Sequence, residues 1–224
     1  MHGGLNMTIK HISFDVWNTL ITANSNYADM RAWTIAKYGD ITEVEARAAY
    51  NKIKKELDNA ALQGKAECAA YAWERLGSEL GITPWKSAKL RFECEQWFLK
   101  FPPHVAVDLP MYLLYLSGRY DLSIKSNTNF ISGDILRRAC KFDSWNCFEF
   151  THFSDEALLC KPDPRFFART LTYSPIPLLG HEVLHVGDSE EYDGKCVDLG
   201  FNFCHIKNPN DLLEKLKRGE IVNA

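Results

Sequence analysis

No run of lysine and arginine in this sequence is long enough to suggest a basic cluster, and a formal charge of −3 with a pI near 6.2 gives nucleic acid or an anionic membrane no bulk attraction to it. There is no C-x-x-C pair either. The seven cysteines, at 68, 94, 140, 147, 160, 196 and 204, are odd in number, and several sit inside apolar runs. That argues against a disulfide framework and for reduced, mostly buried thiols, the pattern expected of a cytoplasmic protein. The seven histidines are equally scattered, which argues against a zinc site. The start, MHGGLNMTIK, lacks the apolar stretch of a signal peptide, and no run is long enough to span a membrane. Met7 reads as a second start, with residues 1–6 carrying no visible chemistry. Repeats and low-complexity tracts are missing as well. What remains is ordinary globular composition: 46% hydrophobic and 25% charged over 224 residues, room for one large domain or a core with a modest insertion.

Short apolar runs at 8–14, 120–125, 148–153, 182–186 and 201–206 predict strands. Helix-length segments at 132–141, 163–171 and 190–199 fall between the later ones, and 211–217 closes the chain. This alternation predicts an α/β core built on a parallel sheet. Residues 22–103 read differently, as helix after helix. Thr42 to Glu45 has the form of a capping box, followed by Ala49, Ile53, Leu57 and Ala60 at helical spacing. Ala69, Trp73, Leu76 and Leu80 make a second stripe. Pro84 opens a third helix, with Leu90, Cys94, Trp97 and Phe101 on its apolar face, and Pro102-Pro103 ends it. The expected organisation is a discontinuous core, 7–21 with 104–224, interrupted by an all-helical cap over 22–103.

Asp15, Ser126 and Asp188 each lie just past an expected strand. The carboxyl ends of strands form the binding crevice of an open α/β sheet, so separate segments would deliver these polar tips to one place. The segments themselves are ISFDVWNTLI (12–21), KSNTN (125–129), CKPDP (160–164) and VGDSEEYD (186–193). In this order they resemble the four motifs of the haloacid dehalogenase-like hydrolase superfamily, and the helical insert lies where that family carries one type of cap. The resemblance covers nearly the whole chain. It implies a three-layer, Rossmann-like α/β core with a mainly parallel sheet beneath an all-helical cap.

The resemblance also implies roles. Asp15 would be the nucleophile that forms a covalent aspartyl intermediate. Asp188 and Asp193, with Asp15 and the backbone carbonyl of Trp17, would hold Mg2+. A cation is expected on physical grounds too, because three converging carboxylates repel and oxygen-only ligands suit a hard ion. Lys161 would place positive charge beside the nucleophile, and Ser126 and Asn127 would donate to the transferring group. Thr19 would buttress the Asp15 loop. Taken singly, each has a plainer reading as a turn residue, a helix cap or a surface charge.

One position departs from the pattern. The family's phosphatases carry a second aspartate two residues after the nucleophile, which protonates the leaving oxygen and then activates water. Here that position is Trp17, and Asn18 stands where glycine is common. Glu190 and Glu191 are the nearest alternative bases in sequence. Three readings stay open. One is a Mg2+-dependent phosphohydrolase for a phosphorylated small molecule with a good leaving group. Another is a 2-haloacid dehalogenase, whose family members carry an aromatic residue at that position but typically replace the first acid of the fourth motif. The third is a slowed or purely binding member. Asn24, Asn26, Tyr27 and Arg31 fall where cap and core would meet, either selecting substrate or lying in a solvated hinge.

Overall fold

The computed structural model describes residues 8–221, so the expectation concerning Met7 and residues 1–6 lies outside the described residues. The strands are β1 (His11–Phe14), β2 (Ile21–Thr22), β3 (His104–Val105), β4 (Asp121–Ser126), β5 (Phe150–Phe153), β6 (Val183–Gly187) and β7 (Asn202–His205). Five of them form one sheet in the order β5-β4-β1-β6-β7, with every pairing parallel. Phe14 of β1 is level with Ile124 of β4 and Val186 of β6, so the carboxyl ends of the three central strands lie side by side.

Side chains alternate across a strand, and this register sorts them into two unlike faces. Ile12, Phe14, Leu122, Ile124, Leu184 and Val186 share one face. They pack with Leu113 of α5 (Leu109–Ser117), Leu136 of α6 (Gly133–Cys140) and Leu212 of α9 (Pro209–Lys217). The opposite face carries His11, Ser13, Ser123, Lys125 and His185, all buried. It is covered by α8 (Pro164–Tyr173), after the short α7 (Ser154–Ala157), and by a 3-10 turn over Gly194–Leu199. Two pairs form across it, His11 Nε2 to Ser123 at 2.7 Å and Ser13 to His185 at 2.7 Å, while His11 Nδ1 has no partner.

Between β2 and β3 the chain builds α1 (Ser25–Gly39), α2 (Glu43–Leu62), α3 (Ala69–Glu79) and α4 (Pro84–Lys100). β2 pairs antiparallel with β3, tying together the two points where the chain leaves the core and returns. The Thr42–Glu45 capping box opens α2 and Pro84 begins α4 after the Thr83 cap, as the sequence predicts. The buried face of α2 is Ala46, Tyr50, Ile53 and Leu57, with Ala49 and Ala60 only half-buried. The expected stripe was displaced because it counted aliphatic residues and passed over Tyr50. Phe98, rather than Trp97, is the fully buried aromatic of α4. The helix expected over 190–199 is shortened to the 3-10 turn, because the chain first turns back to place Asp193. α5 was unforeseen: its sequence, LPMYLLYLS, is apolar almost throughout and shows no period to read.

One side chain crosses from the core into the helical cluster. Phe130, on the loop after β4, is fully buried, stacked on Tyr50 at 4.2 Å and edge-on to Trp73 at 5.0 Å. Its carbonyl accepts a hydrogen bond from the Trp73 indole at 2.9 Å. All seven cysteines are free, and no helix among the described residues is long and apolar enough to cross a membrane.

Candidate active site

β1 ends at Phe14, and the next backbone N–H, of Asp15, donates to the Val186 carbonyl at 2.9 Å, holding Asp15 at the sheet's rim. The chain then turns tightly, with the N–H groups of Thr19, Leu20 and Ile21 converging on the Val16 carbonyl. Asn18 adopts a left-handed conformation, φ 57°, within that turn. Asparagine tolerates this region better than most other non-glycine residues. Its side chain then reaches Asp188, donating at 3.0 Å. The Thr19 hydroxyl donates to Asp15 Oδ2 at 3.2 Å.

Lys161, 2% exposed, joins two segments far apart in sequence. Its Nζ lies 2.5 Å from Asp15 Oδ1 and 2.5 Å from Asp193 Oδ1. Asp193 is further held by His185 Nε2 at 3.0 Å and by the Ser189 N–H at 3.2 Å. Gly187 is required here, since a Cβ would overlap the Asp193 carboxylate. Asp15, Asp188 and Asp193 offer oxygens all within 4.8 Å of one another.

One ammonium facing three carboxylates leaves an excess of negative charge. Burial, together with Asp193 and Asp188, outweighs Lys161 and pushes the Asp15 carboxyl up to about 7. Burial raises Asp188 as well. Burial also opposes ionisation of Asp193, but Lys161 and His185 overcome it and hold that carboxyl well below the usual range. A divalent cation would relieve this imbalance, and an all-oxygen donor set suits a hard ion such as Mg2+. The residues present fit it.

The other expected residues are placed less directly. Asn127 clamps the main chain of Lys161, donating to its carbonyl at 2.8 Å and accepting from its N–H at 2.7 Å. Ser126 is fully buried, donates to the Asn127 carbonyl at 3.2 Å, and is not on the wall of the adjoining cavity. Trp17 does line that cavity, half-buried and tilted towards Phe98 at 6.3 Å. Glu190 and Glu191 are exposed and away from it. The cavity measures about 450 Å³ and runs from the carboxylates into the helical insert. Its wall includes residues that periodicity alone did not mark, among them Tyr50, Asp58, Thr128 and Tyr192.

Beneath the site, Lys125 is fully buried with its Nζ 2.9 Å from the Phe166 carbonyl and 3.2 Å from His152 Nδ1. Burial first, then Arg169 and Lys161, lower its pKa well below the ordinary 10.5. The unfolded chain therefore keeps a proton that the folded chain releases at lower pH. Stability gained by folding should climb as pH rises from the folded pKa of Lys125 towards 10.5. Lys125→Met is expected to flatten that slope and to raise stability at neutral pH. Urea unfolding across a pH series checks this; equal slopes in the two proteins would refute it.

No family model matches the sequence, and no curated protein matches it. Solved structures do match in shape. YfnB from Bacillus subtilis, named as a HAD-hydrolase and bound to magnesium, superposes with a TM-score of 0.69 at 17% identity, covering 94% of this chain and 99% of that one. A 2-haloacid dehalogenase from Pseudomonas syringae gives 0.64 at 17% identity, covering 95% and 100%. The HAD-family enzyme BT-2542 from Bacteroides thetaiotaomicron gives 0.64 at 19% identity over 92% and 98%, and has also been solved with magnesium and inorganic phosphate. The likeness spans nearly the whole of each chain, and this chain has the fold of the haloacid dehalogenase-like hydrolase superfamily.

Proposed function

We propose that this chain is a magnesium-dependent phosphohydrolase for phosphorylated small molecules, working through an aspartyl-phosphate on Asp15. The observation that carries this reading is the buried Lys161 ammonium shared between Asp15 and Asp193, with Asp188 beside them at the cavity floor. Asp15, Asp188 and Asp193, with the Trp17 carbonyl, would hold the metal; when bound it offsets negative charge on the transferring group and on the carboxylates. The chain's own residues do the rest. Asp15 attacks phosphorus as the bond to the leaving oxygen breaks, with Thr19 donating to Oδ2 and Lys161 to Oδ1 to fix the carboxylate. Asn127 keeps Lys161 in place through its main chain. Water then attacks the aspartyl-phosphate, releasing phosphate and restoring Asp15.

Trp17 can neither give a proton to the leaving oxygen nor take one from water. The reading therefore favours acyl and aryl phosphates, whose leaving groups depart without one. A halide would also depart unprotonated, so the indole wall suits the dehalogenase reading equally well. Asp188 favours the phosphoryl reading, since displacement of halide needs no metal.

Wild type and Asp15→Asn should be mixed with acetyl phosphate and Mg2+, and followed by intact-protein mass and phosphate release. A phosphoryl adduct on wild type alone is the expected result. A folded, metal-bound wild type with neither adduct nor release would sink the phosphoryl reading in favour of halide displacement or pure binding.

A further inference from the structure

Helix α5 is apolar on nearly every side, although the core covers only one of them. Leu109, Leu113 and Leu116 face inward and are buried. Val107, just ahead of the helix, and Met111, Leu114 and Tyr115 face outward, each between 52% and 94% exposed. Positions 107, 111, 114 and 115 follow helical spacing, so these side chains make one stripe rather than scattered singles. A surface helix ordinarily turns a polar face to water, and a contiguous apolar one marks an interaction surface. None of the four residues lines the cavity.

The charges along one edge of the stripe say what covers it. Asp108, Tyr115 and Arg119 fall at helical spacing on that edge, one end acidic and the other basic. The Arg119 guanidinium carbon lies 4.7 Å from the Tyr115 ring centroid, which places it one turn beyond that ring. Both charged residues are exposed, and neither has an ion pair among the described residues. Lys217 of α9, close enough to feel Asp108, is itself bound to Glu214 at 3.1 Å. A two-fold axis beside Leu114, perpendicular to the helix, would set a second copy antiparallel and keep like edges on the same side. Asp108 and Arg119 are about 16 Å apart along the helix and centred on that axis. Each would therefore meet its opposite, Asp108 facing Arg119 of the partner subunit at both ends, with Met111 against Tyr115 between them.

We infer that the outer face of α5 is a two-fold interface on which a second copy of this chain docks, antiparallel, to form a dimer. The stripe is self-complementary in charge as well as in shape, which is the demand a two-fold interface makes of a single surface. One short helix covers less than the about 800 Å² per partner of a tight complex. The dimer is accordingly weak, with a dissociation constant of roughly 1–100 μM. Both cavities stay open in it, and the inference does not depend on which reaction the chain catalyses.

Sedimentation equilibrium of the full chain, over a concentration series of roughly 1–500 μM, tests it. Wild type should pass from monomer to dimer across that range. Leu114→Asp, which sets two carboxylates against each other at the axis, should stay monomeric throughout. Asp108 makes no capping hydrogen bond, so replacing it costs the helix little. Asp108→Arg and Arg119→Asp should each weaken the dimer by roughly 5- to 50-fold, because each change is felt twice across the axis. Combined, the two substitutions exchange the charges, and the dissociation constant should return to within several-fold of wild type. Such a recovery is not expected of damage to the helix itself. Met111→Lys repeats the first test if Leu114→Asp does not fold. A wild type that is monomeric at the highest concentration would overturn the inference, leaving the stripe to another partner or to none. A dimer that survives Leu114→Asp, or a double variant as weak as the single ones, would overturn it as well.

Discussion

Lys161→Met is expected to cost about 3–5 kcal/mol of folding stability, the usual penalty for leaving buried charge without its partner. The substitution keeps the length of the side chain but removes its positive charge. Asp15 and Asp193 would then face each other, with Asp188 alongside, and no buried cation between them. The repulsion can then be relieved either by protonating a carboxyl, Asp15 first, or by binding metal. Added Mg2+ should therefore raise the urea midpoint of Lys161→Met by more than it raises that of wild type. Turnover should be lost in either condition, because Asp15 loses the donor at Oδ1. If the variant unfolds at the wild-type midpoint and ignores Mg2+, the three carboxylates are not coupled as their geometry implies.

Trp17→Asp should raise activity towards alkyl phosphates more than any other single substitution. A positioned general acid contributes about 10²–10⁴-fold, so turnover of an alkyl phosphate should rise by that order. Acetyl phosphate, whose leaving group needs no proton, should gain far less. The ratio between the two substrates is the informative quantity, since it cancels any change in folding or metal binding. Some stability will be lost with the contact between Trp17 and Phe98. Trp17→Phe serves as the control: it keeps an aromatic wall and should leave the ratio where it was. A folded Trp17→Asp protein with the wild-type ratio would mean that indole is not what limits alkyl esters.

The core was legible because its signals are local. Each apolar run stopping at a polar residue became a strand, and the acids just past β1 and β6 became neighbours because a parallel register lines up their ends, whereas Ser126 closes β4 itself and stays off the cavity wall. The α2 capping box and Pro84 were equally visible, since capping is decided within a single turn. What escaped depends on partners distant in sequence. The polar character of one sheet face makes sense only once Ser13 meets His185 and His11 meets Ser123. α5 hid in a segment too uniformly apolar to show a period. Arg31 looked like a hinge residue because nothing in a linear reading brings Tyr50 to its face. Asn18 is the instructive intermediate. It read as a departure from pattern, while its φ of 57° puts it in the left-handed region, where asparagine is among the best tolerated of the non-glycine residues.

The placement of Phe130 has a consequence for how often the cavity can be entered. The loop that bears Asn127 also carries this ring, which is wholly enclosed by Tyr50 and Trp73 of the helical insert. Any swing of the insert that withdraws the ring bares it to water, at about 1.5–3 kcal/mol. Such an open form would hold only about a tenth to a hundredth of the molecules. A substrate admitted through it binds with its intrinsic affinity reduced by that fraction. Were entry to require that form, apparent affinity would be governed partly by a hydrophobic side chain outside the cavity wall, and the same withdrawal would drag at the loop that steadies Lys161.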